Sequence, residues 1–377
     1  REKVENKARY AANLNFKIKK NVQLRDLFEN IFDDITNEEY QLLNLDELYW
    51  MWSRGVAYHH AGLAPIVKEF VEFLFINRHI DILFATETLS LGINMPAKSI
   101  IIDSSFKYDG LKTRLISKSE FLQLTGRAGR RGIDSKGYAY INYDKRVENS
   151  WYNDLFDLKP NNLKSSYSNS YGSVLNLNNK YGEKKGIEMI KKSFYSYQNQ
   201  LNDKALETNY KAKLKVLNEM NYFTDLKKNK LLTETHRDNL ILGIELLNEN
   251  NDIEFCLMFL ASGISTSKYE ISVHDKYNDL LTKYLISQEK INKLEAFSGV
   301  KNKINLDITW FSIFLEFYNS ENIEYTLSKF NVTLGDFIKA CREASEISQK
   351  VYSIYEIENF DKIAKKLKHN IIQKTMI

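Results

Sequence analysis

Ser117-Lys-Ser-Glu-Phe-Leu-Gln-Leu-Thr-Gly-Arg-Ala-Gly-Arg-Arg-Gly-Ile-Asp-Ser-Lys-Gly-Tyr-Ala-Tyr-Ile-Asn-Tyr143 holds a helix start, a cluster of arginines and a strand in one run. Ser117 with Glu120 three residues later is a capping box, so a helix opens there. Gly137 to Tyr143 reads as a buried strand. Between them, glycines interleave with Arg127, Arg130 and Arg131 in a chain that elsewhere writes its positive charge mostly as lysine. A planar, permanently charged guanidinium fork suits phosphate, and glycine lets backbone and ligand approach closely. A plain solvated helix face would not carry glycine every third residue, since each costs about 1 kcal/mol against alanine. The stretch therefore reads as a phosphate clamp between a helix and a strand.

The surrounding sequence repeats that alternation. Asp81 to Thr86 and Ser99 to Asp103 read as further buried strands, and Ala64 to Asn77 as a helix with Pro65 in its first turn and Ile66, Val67, Phe70, Val71 and Leu74 on one face. Gly55, Gly62, Gly92, Gly110, Gly126, Gly129, Gly132 and Gly137, with Pro65 and Pro96, concentrate the turns in this window. Strand and helix in alternation imply a parallel sheet with helices on both faces. After about residue 158 the texture changes to sparse glycine and long helix-compatible stretches. Tyr210 to Met220 reads as a helix, and Tyr222-Phe223 with Leu231 to Thr235 as a short hairpin, which together outline a winged helix. From about 246 the pattern is all helical, with Phe337, Ile338, Cys341, Ala344 and Ile347 on one face of an amphipathic segment and Lys339, Arg342, Glu343 and Glu346 on another. The expected fold is α/β followed by all-α. Its parts are a partial parallel sheet with flanking helices over 1–158, a winged helix over 159–245 and a helical bundle over 246–377.

Two further constellations carry chemistry. Gly55-Val-Ala-Tyr-His-His-Ala-Gly-Leu63 is a strand-like run ending in a turn before the Pro65 helix. His59 and His60 there read either as meeting a nucleic-acid backbone near unpaired helix N–H groups or as a hydrogen-bonded pair at a turn. Two adjacent histidines without a third ligand make a poor zinc site, so no metal site is expected. Phe84-Ala-Thr-Glu-Thr-Leu-Ser-Leu-Gly-Ile-Asn-Met-Pro-Ala97 leaves a strand through Thr86 and Glu87 and reaches Gly92 and Asn94. The carboxyl ends of strands in open α/β sheets are where ligands bind. A strand-to-helix loop capped by hydroxyls is the alternative.

In this order and spacing, the three segments resemble motifs IVa, V and VI of superfamily 2 helicases, specifically the superkiller and exosome-assisting class of DExH-box RNA helicases. The resemblance implies a second RecA-like domain in which Arg127 and Arg130 meet the γ-phosphate, with Arg130 as arginine finger and Gln123 opening the motif. It places Gly92 and Asn94 at the nucleotide. Thr86, Glu87, His59 and His60 fall on the RNA backbone, and Lys107 in a hairpin from Phe106 to Arg114 beside the duplex junction. Phe106 and Tyr108 read equally as a wedge or as hairpin core. Leu163 to Tyr167, Tyr171, Leu175 to Leu177 and Lys192 to Phe194 resemble the start of the class's winged helix, with only a short connector before Tyr210 where many members insert an arch. The remainder resembles its C-terminal helical (DSHCT) domain, with Arg342 on a helix lining the exit path of the strand.

No GxxxxGK[ST] loop occurs, and Asp33-Asp34-Ile-Thr36 is not a DExH box. The expected cofactor, ATP with Mg2+, is thus held mainly by a first RecA-like domain in the same or another chain, and this chain should not hydrolyse ATP alone. Arg1-Glu-Lys resembles the residues after the first strand of the second domain, so that strand is expected to be absent. The implied activity is an ATP-dependent helicase moving 3′ to 5′ along single-stranded RNA and at duplex junctions, in RNA decay or processing with its machinery. Two rivals are a DNA repair helicase of the related winged-helix branch and a non-catalytic nucleic-acid-binding subunit.

Composition narrows the setting. The 377 residues are 43% hydrophobic and 13% aromatic, enough for sizeable cores, and the formal charge of +4 arises from mixed signs, so any nucleic-acid footprint is a local patch. Cys256 and Cys341 have no CxxC spacing, which argues against a zinc site or disulfide framework. No apolar run of about 18 residues and no secretory leader is readable. The expected setting is soluble and intracellular, nuclear or cytoplasmic.

Overall fold

Pro65 presets the first turn of a helix whose apolar residues recur on one face, and the helix that results, Pro65–Ile76, buries Ile66, Val67, Phe70, Val71 and Leu74 as the periodicity demands. The computed structural model describes residues 1–14, 23–87, 97–108, 112–130, 132–157, 162–199, 203–248, 251–264, 269–300 and 303–368. It divides into two compact units, one of Arg1–Asn162 with Thr333–Asp336, the other of Leu163–Val332 with the described residues from Phe337 on.

The first unit runs α1 (Glu2–Asn13), α2 (Leu24–Phe32), α3 (Asn37–Leu42), α4 (Leu45–Trp52), β1 (Val56–His59), α5 (Pro65–Ile76), β2 (Ile82–Ala85) and β3 (Ser99–Ile102). It continues through β4 (Phe106–Tyr108), β5 (Thr113–Leu115), α6 (Lys118–Thr125), β6 (Tyr138–Ile141) and α7 (Asn149–Phe156). β1 pairs in parallel with β2, and β3 in parallel with β6, while β4 and β5 form an antiparallel hairpin. Beside β1, Trp52 and Phe70 lie fully buried with ring centroids 5.1 Å apart, and Phe32 stands 5.2 Å from Phe70.

The strands form where the sequence places them, but their expected burial does not hold. Ile102 and Ile116 join Phe121 and Leu155 in one core, flanked by Ile100 and Ile141. Side chains alternate along a strand, so the opposite parity faces away: Ile101 is 69% exposed and Tyr140 54%, with Tyr138 also exposed and its ring centroid 6.4 Å from that of Tyr140. β2 is likewise only partly buried. An apolar run identifies a strand, whereas burial of both faces requires a covering layer, which no described element supplies here.

The second unit is helical: α8 (Tyr171–Lys191), α9 (Phe194–Gln198), α10 (Asp203–Glu219), α11 (Leu226–Thr235), α12 (Ile241–Ile244), α13 (Ile253–Ser262), α14 (Asn278–Ser298), α15 (Thr309–Ser320), α16 (Ile323–Phe330), α17 (Leu334–Tyr355) and α18 (Glu358–Lys366). α13 is buried from Phe255 to Ser262 and packs against α15 and α18, with Phe259 edge-on to Phe360 at 5.4 Å. The hairpin expected over Tyr222–Thr235 is a helix instead. Asp225 accepts hydrogen bonds from the N–H groups of Lys227 (3.0 Å) and Lys228 (3.1 Å), an N-cap that opens α11. Leu231, Leu232 and Thr235 then fall on one buried helical face. The cap at Asp225 outweighs the strand-like look of Leu231 to Thr235, and no wing hairpin occurs among the described residues of this unit. Phe337, Ile338, Cys341, Ala344 and Ile347 do form the buried stripe of α17. Cys256 and Cys341 are free and buried. No described helix is long and apolar enough to cross a membrane.

Candidate functional site

The arginine loop is shaped by its glycines. The capping box forms as expected, with Ser117 Oγ accepting from Glu120 N (3.3 Å) and Glu120 Oε2 accepting from Ser117 N (2.7 Å), and α6 ends at Gly126. Gln123 is exposed on that helix. Beyond it the chain runs beside Ala97: Ala97 N donates to Arg127 O (3.0 Å) and Gly129 N to Ala97 O (2.7 Å). This pins the Arg127–Gly129 backbone next to the start of β3. Gly129 adopts φ +90°, and a Cβ on Gly137 would stand 2.4 Å from Ala128 C and O. Glycine is therefore required at both positions, one for its left-handed backbone and the other for close approach.

Arg130 follows directly. Its Nε donates to Asp134 Oδ2 at 2.6 Å and its Nη2 to Oδ1 at 2.6 Å, while its main-chain N–H reaches Oδ2 at 3.0 Å. This fork occupies the side edge of the guanidinium. Nη1 has no protein partner among the described residues, so the end edge of the cation keeps its donors. The Arg130 fork holds the Asp134 carboxyl at about 2, below the ordinary range. Arg127 is partly buried on the same loop. Gly92 and Asn94 lie outside the described residues.

The histidine turn is built differently. β1 and β2 run in register from Val56 opposite Ile82 to His59 opposite Ala85, and Thr86 N donates to His59 O at 3.1 Å. Two motifs far apart in sequence thus meet at one strand end. The imidazoles themselves are turned inward, 6% exposed at His59 and 3% at His60. His59 Nε2 pairs with Glu72 at 2.8 Å, and its buried Nδ1 has no hydrogen-bond partner. Burial, with Lys68 adding to it, lowers His59 to about 4, so its imidazole is uncharged at neutral pH, and burial raises Glu72. His60 Nδ1 accepts from Gly62 N (3.0 Å), which leaves Nε2–H to donate to Glu5 at 2.9 Å. Arg9 links Glu5 onward to Glu47. Any backbone contact made by this turn would therefore use its main chain rather than these rings.

Lys107 and Glu87 also meet, but face each other. Lys107 Nζ lies 2.6 Å from Glu87 and 2.7 Å from Glu120, and Arg114 forks onto Glu120 with both bonds at 2.8 Å. The Arg114 fork keeps the Glu120 carboxyl well below its ordinary range, with Lys107 and Ser117 adding to it. This network ties the β4–β5 hairpin to the start of α6. Tyr108 is 66% exposed at the hairpin, while Phe106 carries Arg146 over its ring at 5.0 Å. Arg342 sits on α17 in the second unit, partly buried.

Of the carboxylates holding these groups, Glu5, Glu72, Glu120 and Asp134, only Glu5 and Glu120 carried a signal in the sequence. Glu5 shares a helical face with the buried Ala8 and Ala12, and Glu120 is the capping residue, whereas nothing local marks Glu72 as the partner of His59. Among the described residues no group of three or more His, Cys, Asp or Glu stands together as a metal site would require. The donors on the Arg127–Asp134 loop fit an anion such as a phosphate chain.

Residues 30–132 match the helicase conserved C-terminal domain. The chain is 37% identical over 175 residues to the exosome RNA helicase MTR4 of Homo sapiens, covering 46% of this chain and 17% of that protein. It is 34% identical over 252 residues to the ATP-dependent RNA helicase mtr4 of Schizosaccharomyces pombe, covering 63% and 22%. With the probable helicase HelY of Mycobacterium tuberculosis it shares 34% over 180 residues, covering 47% and 19%. These alignments span about a fifth of each of those relatives.

Proposed function

We propose that this chain, which belongs to the superkiller-like class of DExH-box helicases, supplies the arginine-bearing half of a split ATP site and an RNA-backbone grip in a 3′ to 5′ motor. The observation that carries this reading is the loop in which Ala97 pins Arg127–Gly129 and Asp134 holds one edge of Arg130 while the other edge keeps its donors. ATP, when bound, supplies the phosphoanhydride whose cleavage drives the cycle. Arg130 offers its Nη1 edge to the charge on the transferring phosphoryl oxygens, a contribution of about 10³-fold or more in rate for an arginine in this role. Arg127 lies on the same loop and Gln123 on the helix that leads into it, and the family resemblance assigns Gly92 and Asn94 to the nucleotide as well. No described residue of this chain would hold magnesium, which would be bound by a separate nucleotide-binding domain.

Coupling to the strand runs through β1 and β2. The His59 carbonyl and Thr86 N–H join the two strand ends, and the buried histidine rings fix the turn before α5, so a shift of either strand moves both backbone-facing segments together. Contacts of this kind read phosphates rather than bases and weaken with salt. The Lys107 and Arg114 network orients the hairpin toward a duplex junction, with exposed Tyr108 as its stacking surface. The helices of the second unit serve as the class's C-terminal helical domain, with Arg342 facing the exiting strand, and the role is RNA decay or processing.

The test is Arg130→Ala in the complete protein. ATP turnover should fall by about 10³-fold or more while single-stranded RNA binding stays within about twofold. Equal loss of both sinks the assignment of Arg130. Turnover stimulated by DNA and not by RNA would favour the repair-helicase reading.

A further inference from the structure

We infer that Asp134 is the positioning residue for Arg130: it fixes the plane of the guanidinium before any phosphate arrives. The inference rests on the functional reading above and deepens it. Three contacts converge on one carboxylate. Asp134 Oδ2 takes both the Arg130 main-chain N–H (3.0 Å) and Nε (2.6 Å), and Oδ1 takes Nη2 (2.6 Å). The Asp134 N–H in turn donates to Arg130 O at 2.9 Å, so the two residues close on each other through main chain and side chain alike. Gly132, at φ +77°, lets the chain reverse to bring Asp134 back. The Asp134 side chain is 8% exposed and that of Arg130 26%, so the fork is shielded while the cation keeps access to solvent.

The chemistry of the fork decides the direction. Asp134 consumes the side edge, Nε–H and one N–H of Nη2. It leaves both protons of Nη1 and the second of Nη2, which form the end edge suited to two phosphoryl oxygens. An arginine on a flexible stem would have to lose its rotamer freedom during the reaction, whereas one already forked presents its donors at no such cost. Asp134 touches no reacting atom in this scheme and acts only through Arg130.

The experiment compares Asp134→Asn, Asp134→Ser, Arg130→Ala and the double variant R130A/D134N in the complete protein, reading RNA-stimulated ATP turnover. D134N should lower kcat by about 10- to 100-fold, the scale of an angstrom-level misplacement, with KM for ATP and nucleotide-free RNA binding within about twofold. D134S, which removes both oxygens of the fork, should show the same loss and answers the question should D134N fail to fold. The double variant should be no slower than R130A alone, because Asp134 has nothing left to position. Wild-type kcat in a folded D134N or D134S, or a further loss of equal size on the R130A background, overturns the inference while leaving the role of Arg130 standing. A complete protein with no RNA-stimulated turnover instead overturns the functional reading and this inference with it.

Discussion

Gly137→Ala is the sharpest perturbation the arginine loop offers. A Cβ there would lie 2.4 Å from Ala128 C and O and 2.5 Å from Gly129 N, all backbone, against an ordinary contact of at least 3.4 Å. Relief requires the Ala128–Gly129 peptide to move by 3.4 less 2.4, or 1.0 Å. That peptide is held by the 2.7 Å bond from Gly129 N to Ala97 O, which a shift of that size would weaken or break. Overpacking of this kind costs about 1–3 kcal/mol and the lost bond about 1 kcal/mol more, so about 2–4 kcal/mol in all. Arg130 is the next residue, and a shift of that size should slow turnover by about 100-fold. Gly132→Ala is the control. It has positive φ but nothing within 4 Å of the new methyl, so in stability it should cost only the backbone strain, about 1–2 kcal/mol, and it serves as a control for the urea midpoint alone. Urea unfolding of the chain and ATP turnover of the complete protein measure the two effects. A G137A variant with wild-type midpoint and kcat, or a G132A variant that costs as much as G137A, refutes the reasoning.

Two further outcomes follow from the buried ionisable groups. His59 titrates at about 4 in the folded chain against 6.5 when unfolded. The unfolded chain therefore binds the extra proton between those values, and stability should fall as pH drops from about 6.5 to 4 and be flat above; a gap of that size is worth up to about 3 kcal/mol. His59→Gln should remove that slope, and identical pH dependence of the urea midpoints in both proteins would exclude His59 as its source. Glu120→Gln leaves one acceptor oxygen to serve Arg114, Lys107 and the Ser117 cap, and should destabilise the chain by about 1–3 kcal/mol. A change below about 0.5 kcal/mol in thermal or chemical unfolding would show that the network is worth little.

Much of the first unit is readable because its signals are local. The Ser117–Glu120 capping box, Pro65 at a helix start and the five apolar residues on one face of α5 each depend on residues within a few positions of one another, whereas the Phe106–Arg114 hairpin was expected from the family resemblance alone. The departure at Tyr222–Thr235 has the same origin: Leu231 to Thr235 suits a strand or a buried helix face equally, and the Asp225 cap decides between them. The expected burial of β2, β3 and β6 failed for a different reason, since burial depends on which layers cover a strand.

By itself, then, the sequence determined β1, β2, β3 and β6, the helix α5 and the start of α6, and that an arginine and glycine loop lies between α6 and β6; the helices α1 to α4 and α7 were not read from it. Only the tertiary structure decided what each functional side chain faces. It turned His59 and His60 toward Glu72 and Glu5, set Lys107 against Glu87 and Glu120, and joined His59 to Thr86 across 27 positions through strand register. Helix and strand formation is governed by backbone sterics and short-range periodicity. The pairing of charges and rings depends on which surfaces the packed chain brings within a few angstroms, and residue spacing does not encode that.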